Sequence, residues 1–377
     1  MKRKLRVGIL FGGKSGEHEV SLASAQSVID ALDRSKYDAV PIGIDKQGRW
    51  LAGADAVKQL TSRTTEDDRP HAANGRLPMA ESEKPLIIRD TLSAISHSPS
   101  AANRSPLHDV DVVFPILHGP LGEDGTVQGL LEIADVPYVG AGVAASAVGM
   151  DKELMKAVFV AHGLPIVPHV TVMRRAFERQ PDEAMCEVEA HLPYPVFVKP
   201  ANLGSSVGVS KARDRTELAT AISVACAYDR KILVEQGVVA REVECSVLGN
   251  DQPIVSVVGE VRTKRRDFYD YVAKYTDGEA DLIIPADLPT TQADAVRVLA
   301  LRAYRAIDCA GMARADFFIE RESERIFVNE LNTIPGFTRF SMYPKLWEGS
   351  GLSYAELVDR LIGLAVERYA DKKRSGL

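Results

Sequence analysis

The sequence predicts an α/β protein whose C-terminal half has α+β character. In the first 50 residues, two apolar segments that resemble strands flank a helical segment, which is the βαβ pattern of a parallel sheet. In the second half, pairs of alternating apolar and polar segments are separated by short turns, which indicates antiparallel hairpins. A length of 377 residues is enough for two or three domains of roughly 100–200 residues each.

Three strands, one helix and one irregular stretch are predicted in the N-terminal part. In chain order they are a strand at 6–11, a helix at 21–32, a strand at 37–44, an irregular stretch from about 52 to 106, and a strand at 110–117. The irregular stretch is rich in Ala, Ser, Pro, Thr and Asp, which is typical of a surface excursion. The last strand leads into HGPLGEDG at 118–125, and the C-terminal ends of strands are where α/β sheets bind ligands.

A different pattern begins near Gly149. Helices are expected at 151–162, 216–228, 291–307 and 354–369. Strands are expected at 194–199, 207–210, 231–235, 242–248, 254–261, 313–319 and 326–331. The turn at 249–251 joins two of these strands into one hairpin, and the turn at 321–323 joins the last two into another. A long polar loop is expected at 263–285.

Composition and charge exclude several functional classes. The formal net charge of −6 argues against a broad surface for nucleic acid or acidic lipid. The four cysteines lie far apart and none forms a C-x-x-C pair, which argues against a zinc site or a disulfide framework. No run of about 20 apolar residues is present, so no membrane span is expected and the cytoplasm is the expected location.

The last predicted hairpin carries a candidate magnesium site. Glu330 and Asn332 are two residues apart on one strand, so their side chains share a face of the sheet. Asp316, on the partner strand, can reach the same face. Three oxygen donors suit Mg²⁺, which usually completes its octahedron with phosphate oxygens. An ordinary solvated sheet face is the alternative reading.

The segment KPANLGSSVGVS at 199–210 is a candidate phosphate-binding loop. It lacks the P-loop spacing and lies between two predicted strands rather than before a helix. A hairpin with a Gly/Ser tip can direct backbone N–H groups at phosphates, and Lys199 can neutralise their charge. A plain surface hairpin is the alternative. A protein kinase is excluded because neither H-R-D nor D-F-G is present.

The segment GGKSGEHEVSLAS follows the first strand. Its glycines permit a tight turn, but it lacks the G-x-G-x-x-G spacing of a dinucleotide site. Capping of the next helix by Ser21, with Glu17 and Glu19 favoured by the helix dipole, is a sufficient structural explanation. A carboxylate in this position can equally hold a substrate ammonium group.

Seven motifs, in order, resemble those of the D-alanine–D-alanine ligases of the ATP-grasp superfamily. The resemblance runs from about Val7 to the C-terminal helix, and only the stretch after Ala52 and the one around Pro181 carry none of it. The motifs are GGKSGEHEVS, HGPLGEDG, MDK, VKPANLGSSVGVS, FYDYVAKYTDG, ARADFF and VNELNTIPGFT.

This resemblance implies a Rossmann-like N-terminal domain followed by a two-subdomain ATP-grasp fold. The implied boundaries are 1–148 for the N-terminal domain, 149–236 for the central subdomain with the glycine-rich loop, and 237–377 for the C-terminal subdomain with the metal site and a mobile loop. It also implies ATP, two molecules of D-alanine, two Mg²⁺ or Mn²⁺ ions and a homodimer.

The resemblance further assigns residues to the nucleotide and the metal. Lys152 and Lys199 are assigned to the phosphates of ATP. Glu235 and Val238, in a linker, are assigned to adenine, and the acid Glu242 is assigned to ribose. Asp316, Glu330 and Asn332, on the hairpin already described, are assigned to the metal.

For the amino-acid substrates, the resemblance assigns Glu17 to the first ammonium group. Arg314 and the Gly336 backbone N–H are assigned to the first carboxylate and the developing oxyanion. The remaining residues are assigned around the second substrate and the mobile loop: Ser341 and Lys274 anchor the second carboxylate, Tyr275 and Ser205 bridge the loop to Glu17, and His118 lies near the second substrate.

The implied activity is ATP-dependent formation of D-alanyl-D-alanine through a D-alanyl phosphate, for peptidoglycan precursors. A D-alanine–D-lactate or D-serine ligase is the nearest alternative, and the tyrosine of VAKY favours the amine acceptor. An NAD-dependent oxidoreductase is disfavoured by the missing glycine fingerprint and the Asp/Glu/Asn set. A catalytically inactive nucleotide-binding scaffold is disfavoured because that set and both lysines are intact.

Overall fold

The computed structural model of the protein describes residues 3–52, 56, 60, 106–263 and 280–375. Within these ranges the chain is mixed α/β and contains three β-sheets. None of the helices in these ranges is long and apolar enough to cross a membrane.

The first sheet is largely parallel. Its order is β3-β2-β1-β4, with β1 (Leu5–Gly12) parallel to β2 (Tyr37–Ile44) and to β4 (Val112–Ile116), and β3 (Trp50–Ala52) antiparallel at the edge. Helix α1 (His18–Ala31) connects β1 to β2, so the predicted βαβ unit is confirmed. Two helices follow β4: α2 (Thr126–Ile133) and α3 (Val143–Met150).

The second sheet is antiparallel, in the order β5-β8-β6-β7. Its strands are β5 (His169–Met173), β6 (Val196–Pro200), β7 (Ser210–Ala212) and β8 (Lys231–Gln236). Helix α4 (Lys152–Ala161) precedes it, and its other helices are α5 (Arg174–Arg179), α6 (Pro181–His191) and α7 (Arg215–Cys226). Apolar side chains of α6 and α7 pack with those of the strands in one core.

The third sheet is also antiparallel, in the order β11-β10-β9-β12-β13. The strands are β9 (Ala240–Leu248), β10 (Ile254–Thr263), β11 (Ala280–Ile283), β12 (Met312–Glu320) and β13 (Ile326–Asn332). Three helices complete it: α8 (Thr290–Ala306), α9 (Met342–Gly349) and α10 (Tyr354–Lys373). Both predicted hairpins, β9–β10 and β12–β13, are confirmed. Helix α10 returns to the first sheet, where Leu357 and Leu361 share a core with Phe114.

The start of α1 corrects one prediction. The helix begins at His18, so Ser21 lies inside its first turn and does not cap it. The buried Ser21 hydroxyl accepts a hydrogen bond from the Gly12 N–H at 2.8 Å and donates one to the Ile116 carbonyl. Ser21 therefore joins α1 to strands β1 and β4. The spacing of apolar residues identified the helix but did not define its first turn.

The predicted strand at 207–210 is also displaced. Strand β7 begins only at Ser210. Ser205, Ser206 and Gly208 have φ values of 51°, 57° and 73°, a left-handed backbone that cannot continue a strand. The glycine-rich segment is therefore a longer loop between β6 and β7 than the sequence pattern predicted.

Candidate active site

A cavity of about 1220 Å³ lies where segments that follow strands of the first sheet meet strands of the other two sheets. Loops after β1 and β4, the loop between β6 and β7, and strands β8, β9, β12 and β13 all contribute to its wall. Fourteen of the sixteen residues that the sequence singles out line it: Glu17, His118, Lys152, Lys199, Ser205, Glu235, Val238, Glu242, Arg314, Asp316, Glu330, Asn332, Gly336 and Ser341. The other two, Lys274 and Tyr275, fall outside the described residues.

The β12–β13 hairpin brings together the three candidate metal ligands. Asp316 pairs with Glu330 in the register of the two strands, and a bulge follows Asp316. The Asn332 amide nitrogen donates to Asp316 Oδ2 at 3.0 Å. The Lys152 ammonium lies 3.9 Å from Glu330 Oε2. Carboxylates and a lysine therefore lie side by side on this wall.

The donor set fits a hard divalent cation. Two carboxylates and an amide supply oxygen donors, and Mg²⁺ commonly takes one or two carboxylates together with substrate phosphates. Because the Asn332 nitrogen donates to Asp316, the amide oxygen of Asn332 is the atom left to face a cation. In the described ranges, no group of three or more His, Cys, Asp and Glu side chains is arranged around a metal position. A closed all-protein metal site is thus not found in these ranges, whereas a site completed by phosphate oxygens suits these residues.

Arg314 is fixed by two carboxylates. Its Nε and Nη2 each lie 2.7 Å from an Asp316 oxygen, and Nε lies 2.8 Å from Glu244 Oε2. Burial on its own would lower the pKa of Arg314, but the charges of Asp316 and Glu244 outweigh burial and raise it well above its usual value. Glu244, which lies on β9 opposite Asp316, was not identified from the sequence.

A buried carboxylate lies between two lysines deeper in the cavity. Glu235 contacts the Lys199 ammonium through Oε2 and the Lys156 ammonium, at 2.7 Å, through Oε1. Burial would raise the pKa of Glu235, but the charges of Lys156 and Lys199 hold it far below its usual value. Burial would likewise lower the pKa of Lys199, and Glu235 raises it instead. Lys156 was not identified from the sequence.

Lys152 holds the glycine-rich loop. Its ammonium donates to the Leu203 carbonyl at 2.6 Å, and its backbone N–H donates to the Ala201 carbonyl at 3.0 Å. The preceding residue, Asp151, caps α4 by accepting from the Glu153 and Leu154 N–H groups. Lys152, which the resemblance assigns to phosphate, therefore connects the start of α4 to the glycine-rich loop.

Glu17 lies where three loops meet. The Ser205 hydroxyl donates to Glu17 Oε1. A side chain on Gly119 would place its Cβ 3.0 Å from Glu17 Oε2, and one on Gly204 would place it 3.3 Å away, so glycine at both positions leaves room for the carboxylate. The Ser15 hydroxyl donates to the His118 carbonyl at 2.6 Å and so ties the loop after β1 to the loop after β4.

His118 is buried beside a second acid. Its Nδ1 lies 3.1 Å from the Ile334 carbonyl and 3.4 Å from Glu123 Oε1, whereas Nε2 is buried with no hydrogen-bond partner among the described residues. Burial would lower the pKa of His118, and the contact with Glu123 raises it. Burial raises the pKa of Glu123, although His118 opposes that shift. Glu123 is in the HGPLGEDG motif but was not singled out from the sequence.

The loop after β13 places Ser341 beside Gly336. The Ser341 hydroxyl oxygen lies 3.1 Å from the Thr338 backbone nitrogen and 2.8 Å from Thr338 Oγ1. A Cβ on Gly336 would lie 3.2 Å from Ser341 Oγ. The Ser341 hydroxyl and the Gly336 backbone thus form this end of the cavity, at the start of α9.

Two family models match most of the chain. A family model described as "D-ala D-ala ligase N-terminus" matches residues 6–141, and one described as "D-ala D-ala ligase C-terminus" matches residues 158–363. A D-alanine–D-alanine ligase of Heliobacterium modesticaldum is 46% identical over 372 residues, which cover 99% of this chain and 97% of the relative.

Two solved structures are similar along the whole chain. The VanG D-Ala:D-Ser ligase from Enterococcus faecalis has a TM-score of 0.79 and 35% identity, covering 96% of this chain and 100% of that one. The D-alanine–D-alanine ligase from Coxiella burnetii has a TM-score of 0.76 and 34% identity, covering 98% of each chain. From these matches over nearly its full length, the chain belongs to the D-alanine–D-alanine ligase family.

Proposed function

We propose that this chain joins two molecules of D-alanine into D-alanyl-D-alanine at the expense of ATP, releasing ADP and phosphate, in the synthesis of peptidoglycan precursors. The observation that carries the proposal is the composition of the cavity wall. The Glu17 carboxylate suits an ammonium group, and Lys152 and Lys199 suit phosphates. The Arg314 guanidinium contacts Glu244 on β9 and Asp316 on β12.

We further propose that the sheets correspond to three working parts. Residues 1–148 form a Rossmann-like N-terminal domain, 149–236 a central ATP-grasp subdomain and 237–377 a C-terminal ATP-grasp subdomain. The parallel strands β1, β2 and β4 support the first assignment, and the two antiparallel sheets that face one cavity support the others. ATP is then bound between β6, β8 and the β9–β12–β13 surface, with Glu235 and Val238 toward adenine and Glu242 toward ribose.

In the first half-reaction, a carboxylate oxygen of the first D-alanine attacks the γ-phosphorus of ATP. The bond from that phosphorus to the bridging oxygen breaks, and ADP leaves with the electron pair. Lys152, Lys199 and Arg314 stabilise the negative charge on the transferring phosphoryl group. Glu17, held by Ser205, binds the ammonium group of the same D-alanine and so fixes its orientation. The product is D-alanyl phosphate.

In the second half-reaction, the neutral amine of the second D-alanine attacks the carbonyl carbon of the acyl phosphate. Negative charge develops on the carbonyl oxygen, and Arg314 and the Gly336 N–H stabilise it by donating hydrogen bonds. Collapse of this intermediate expels phosphate, the attacking nitrogen loses one proton to the departing phosphate or to solvent, and the peptide bond remains. Ser341, together with Lys274, binds the second carboxylate, His118 lies near the second substrate, and Tyr275 bridges to Ser205.

Asp316, Glu330 and Asn332 would hold the divalent cations, Mg²⁺ or Mn²⁺, which neutralise phosphate charge when bound. Arg314 donates two hydrogen bonds to the Asp316 carboxylate and thereby fixes the orientation of that carboxylate. The chain's own contribution is to hold these oxygen donors on one rigid hairpin. We also propose a cytoplasmic location, where ATP is supplied, and a homodimer, by family analogy.

The mechanism makes a test with labelled substrate possible. D-Alanine carrying ¹⁸O in its carboxylate should yield phosphate that contains one ¹⁸O atom per dipeptide, because the attacking carboxylate oxygen leaves with the phosphoryl group. Mass spectrometry of phosphate and peptide measures both products. Unlabelled phosphate accompanying dipeptide formation would refute the acyl phosphate route.

Formation of D-alanyl-D-serine is the second candidate. It is favoured by the similarity to the D-Ala:D-Ser ligase from Enterococcus faecalis, at 35% identity. The identity to D-alanine–D-alanine ligases reaches 46–48%, which favours D-alanine as the acceptor. Product analysis with D-alanine and D-serine present together distinguishes the two.

A further inference from the structure

Lys156 is a lysine that the proposed mechanism does not use. Its residue surface is only 1% exposed, and it is not among the residues that line the cavity. Its ammonium lies 2.7 Å from Glu235 Oε1 in an ion pair, and 3.4 Å from the Asn329 carbonyl oxygen. Burying an ammonium group is costly even when it is paired, and an apolar side chain would fill the same space without that cost.

The position of Lys156 relates it to both candidate phosphate-binding lysines. Lys152 and Lys156 are four residues apart on α4 and so lie on the same helix face. Lys156 reaches one oxygen of Glu235, and Lys199 reaches the other. Lys199 and Glu235 line the cavity, with Lys156 behind them. Two ammonium groups thus share one carboxylate, and the group of three carries one surplus positive charge.

We propose that Lys156 is a positioning residue for the ATP triphosphate: it occupies one oxygen of Glu235, so that the lysine–carboxylate–lysine group presents net positive charge to the cavity through Lys199. The inference rests on the proposed function only in taking ATP as the ligand. Without Lys156, Glu235 would neutralise Lys199 and the phosphates would meet a neutral pair.

The charge of Lys156 affects the pKa values of two neighbouring groups. The pKa of Glu235 is held far below its usual value by Lys156 and Lys199, so this carboxylate stays ionised despite its burial. His169 lies opposite Glu235 in the register of β5 and β8. Its pKa is lowered first by burial and then by the charge of Lys156.

Loss of Lys156 should weaken binding of the triphosphate and leave binding of the nucleoside unchanged. The test measures dissociation constants for the non-hydrolysable triphosphate AMP-PNP and for adenosine, without D-alanine, and takes the ratio of adenosine to AMP-PNP. In Lys156→Met this ratio should fall about tenfold, which is about 1.4 kcal/mol. A purely structural role would weaken both ligands alike and leave the ratio unchanged.

A second pair of variants keeps the test independent of how well Lys156→Met folds. Glu235→Gln leaves two ammonium groups without their carboxylate, so its ratio should exceed that of the wild type. Adding Lys156→Met to Glu235→Gln restores one surplus charge and should bring the ratio back to within about threefold of wild type. Any contact that Glu235 makes with adenine affects both ligands and cancels in the ratio.

Arg215→Met is the matched control. Arg215 links Asp182, at 2.9 Å, and Glu189 in the same sheet-and-helix unit, and it does not line the cavity. Its ratio should equal that of the wild type. An unchanged ratio in Lys156→Met, or equal ratios in Glu235→Gln and the double variant, would overturn the proposal. Wild-type turnover of D-alanine is assayed separately, so a failure of the proposed function would be recognised independently of the nucleotide ratios.

Discussion

The Ser205 hydroxyl donates a hydrogen bond to the Glu17 carboxylate across 188 residues of sequence. Glu17 precedes α1 beside the first sheet, and Ser205 lies in the glycine-rich loop of the second. The φ of 51° at Ser205 places its backbone in the left-handed region, so the direction of its side chain depends on the conformation of the loop. This contact connects the part of the cavity assigned to ammonium with the part assigned to phosphate.

Ser205→Ala should impair use of the first D-alanine. A hydrogen bond to a charged group contributes roughly 1.5–3 kcal/mol, so we expect kcat/KM for D-alanine to fall about 10- to 100-fold. Steady-state kinetics at saturating ATP measure this, with Ser210→Ala, outside the cavity wall, as the control. Equal kinetics in Ser205→Ala and wild type would mean that the contact does not position Glu17 for catalysis.

Arg314→Lys should be severely impaired although it keeps the charge. Lysine cannot make the two parallel hydrogen bonds to Asp316 while also contacting Glu244. We expect kcat to fall at least about 100-fold and the thermal midpoint to drop, because two buried carboxylates lose a planar partner. The exposed Arg325→Lys in the same hairpin is the control. Near-normal kcat in Arg314→Lys would refute the proposed role of Arg314.

Glu330→Gln should increase the requirement for Mg²⁺. The substitution removes one carboxylate from the oxygen donors on the β12–β13 hairpin and keeps the size of the side chain. We expect turnover at limiting Mg²⁺ to fall about 100-fold, with partial recovery at high Mg²⁺. Activity is measured as a function of Mg²⁺ concentration, and Glu324→Gln in the exposed turn is the control. An unchanged Mg²⁺ curve for Glu330→Gln would place the cation elsewhere.

Asp151→Asn tests the ion pair between Asp151, the residue before Lys152, and Lys231. Asp151 accepts from the Lys231 ammonium at 2.8 Å and caps α4, and asparagine preserves the capping geometry while removing the charge. Burial would raise the pKa of Asp151, but Lys231 and backbone donors lower it below its usual value. A lowered folded-state pKa means that the ionised carboxylate contributes stability above the unfolded-state pKa of about 3.9 and loses it as pH falls through the folded-state pKa.

We therefore expect Asp151→Asn to reduce the free energy of unfolding by about 2 kcal/mol at pH 7 and by progressively less below about pH 4. Urea unfolding at several pH values measures this difference. Asp182→Asn, whose side chain is 85% exposed in its ion pair with Arg215, should change it by less than about 0.5 kcal/mol. A difference that stays constant down to pH 2 would show that the charge of Asp151 has no part in it.

Local patterns in the sequence were sufficient to predict the main strands. Two apolar segments around the turn at 321–323 predicted the β12–β13 hairpin, and the two-residue spacing of Glu330 and Asn332 predicted their common face. Helices α5 and α6 were not predicted. Pro181 occupies the first position of α6, where its missing N–H costs nothing.

The partners of the site residues were harder to predict because they depend on contacts between distant segments. Lys156 is one of several charged residues in the predicted helix at 151–162, and only the fold shows its contacts with Glu235 and Asn329. Glu244 is one of several acids on the strands of the third sheet, and its contact with Arg314 depends on the pairing of β9 with β12. Glu123 was within a recognised motif, yet nothing local distinguished it from Asp124. Long-range pairing, which a single sequence does not display, accounts for these omissions.

The most direct test of the central claim is phosphate release from Mg-ATP by the purified protein with D-alanine, L-alanine or D-lactate. We expect rapid release with D-alanine alone, stoichiometric with D-alanyl-D-alanine. Release with L-alanine should be at least about 100-fold slower, because the groups around Glu17, Arg314 and Ser341 fix the stereochemistry. D-Lactate added to D-alanine should yield little depsipeptide. Equal release with both alanine enantiomers, or release without dipeptide, would contradict the account.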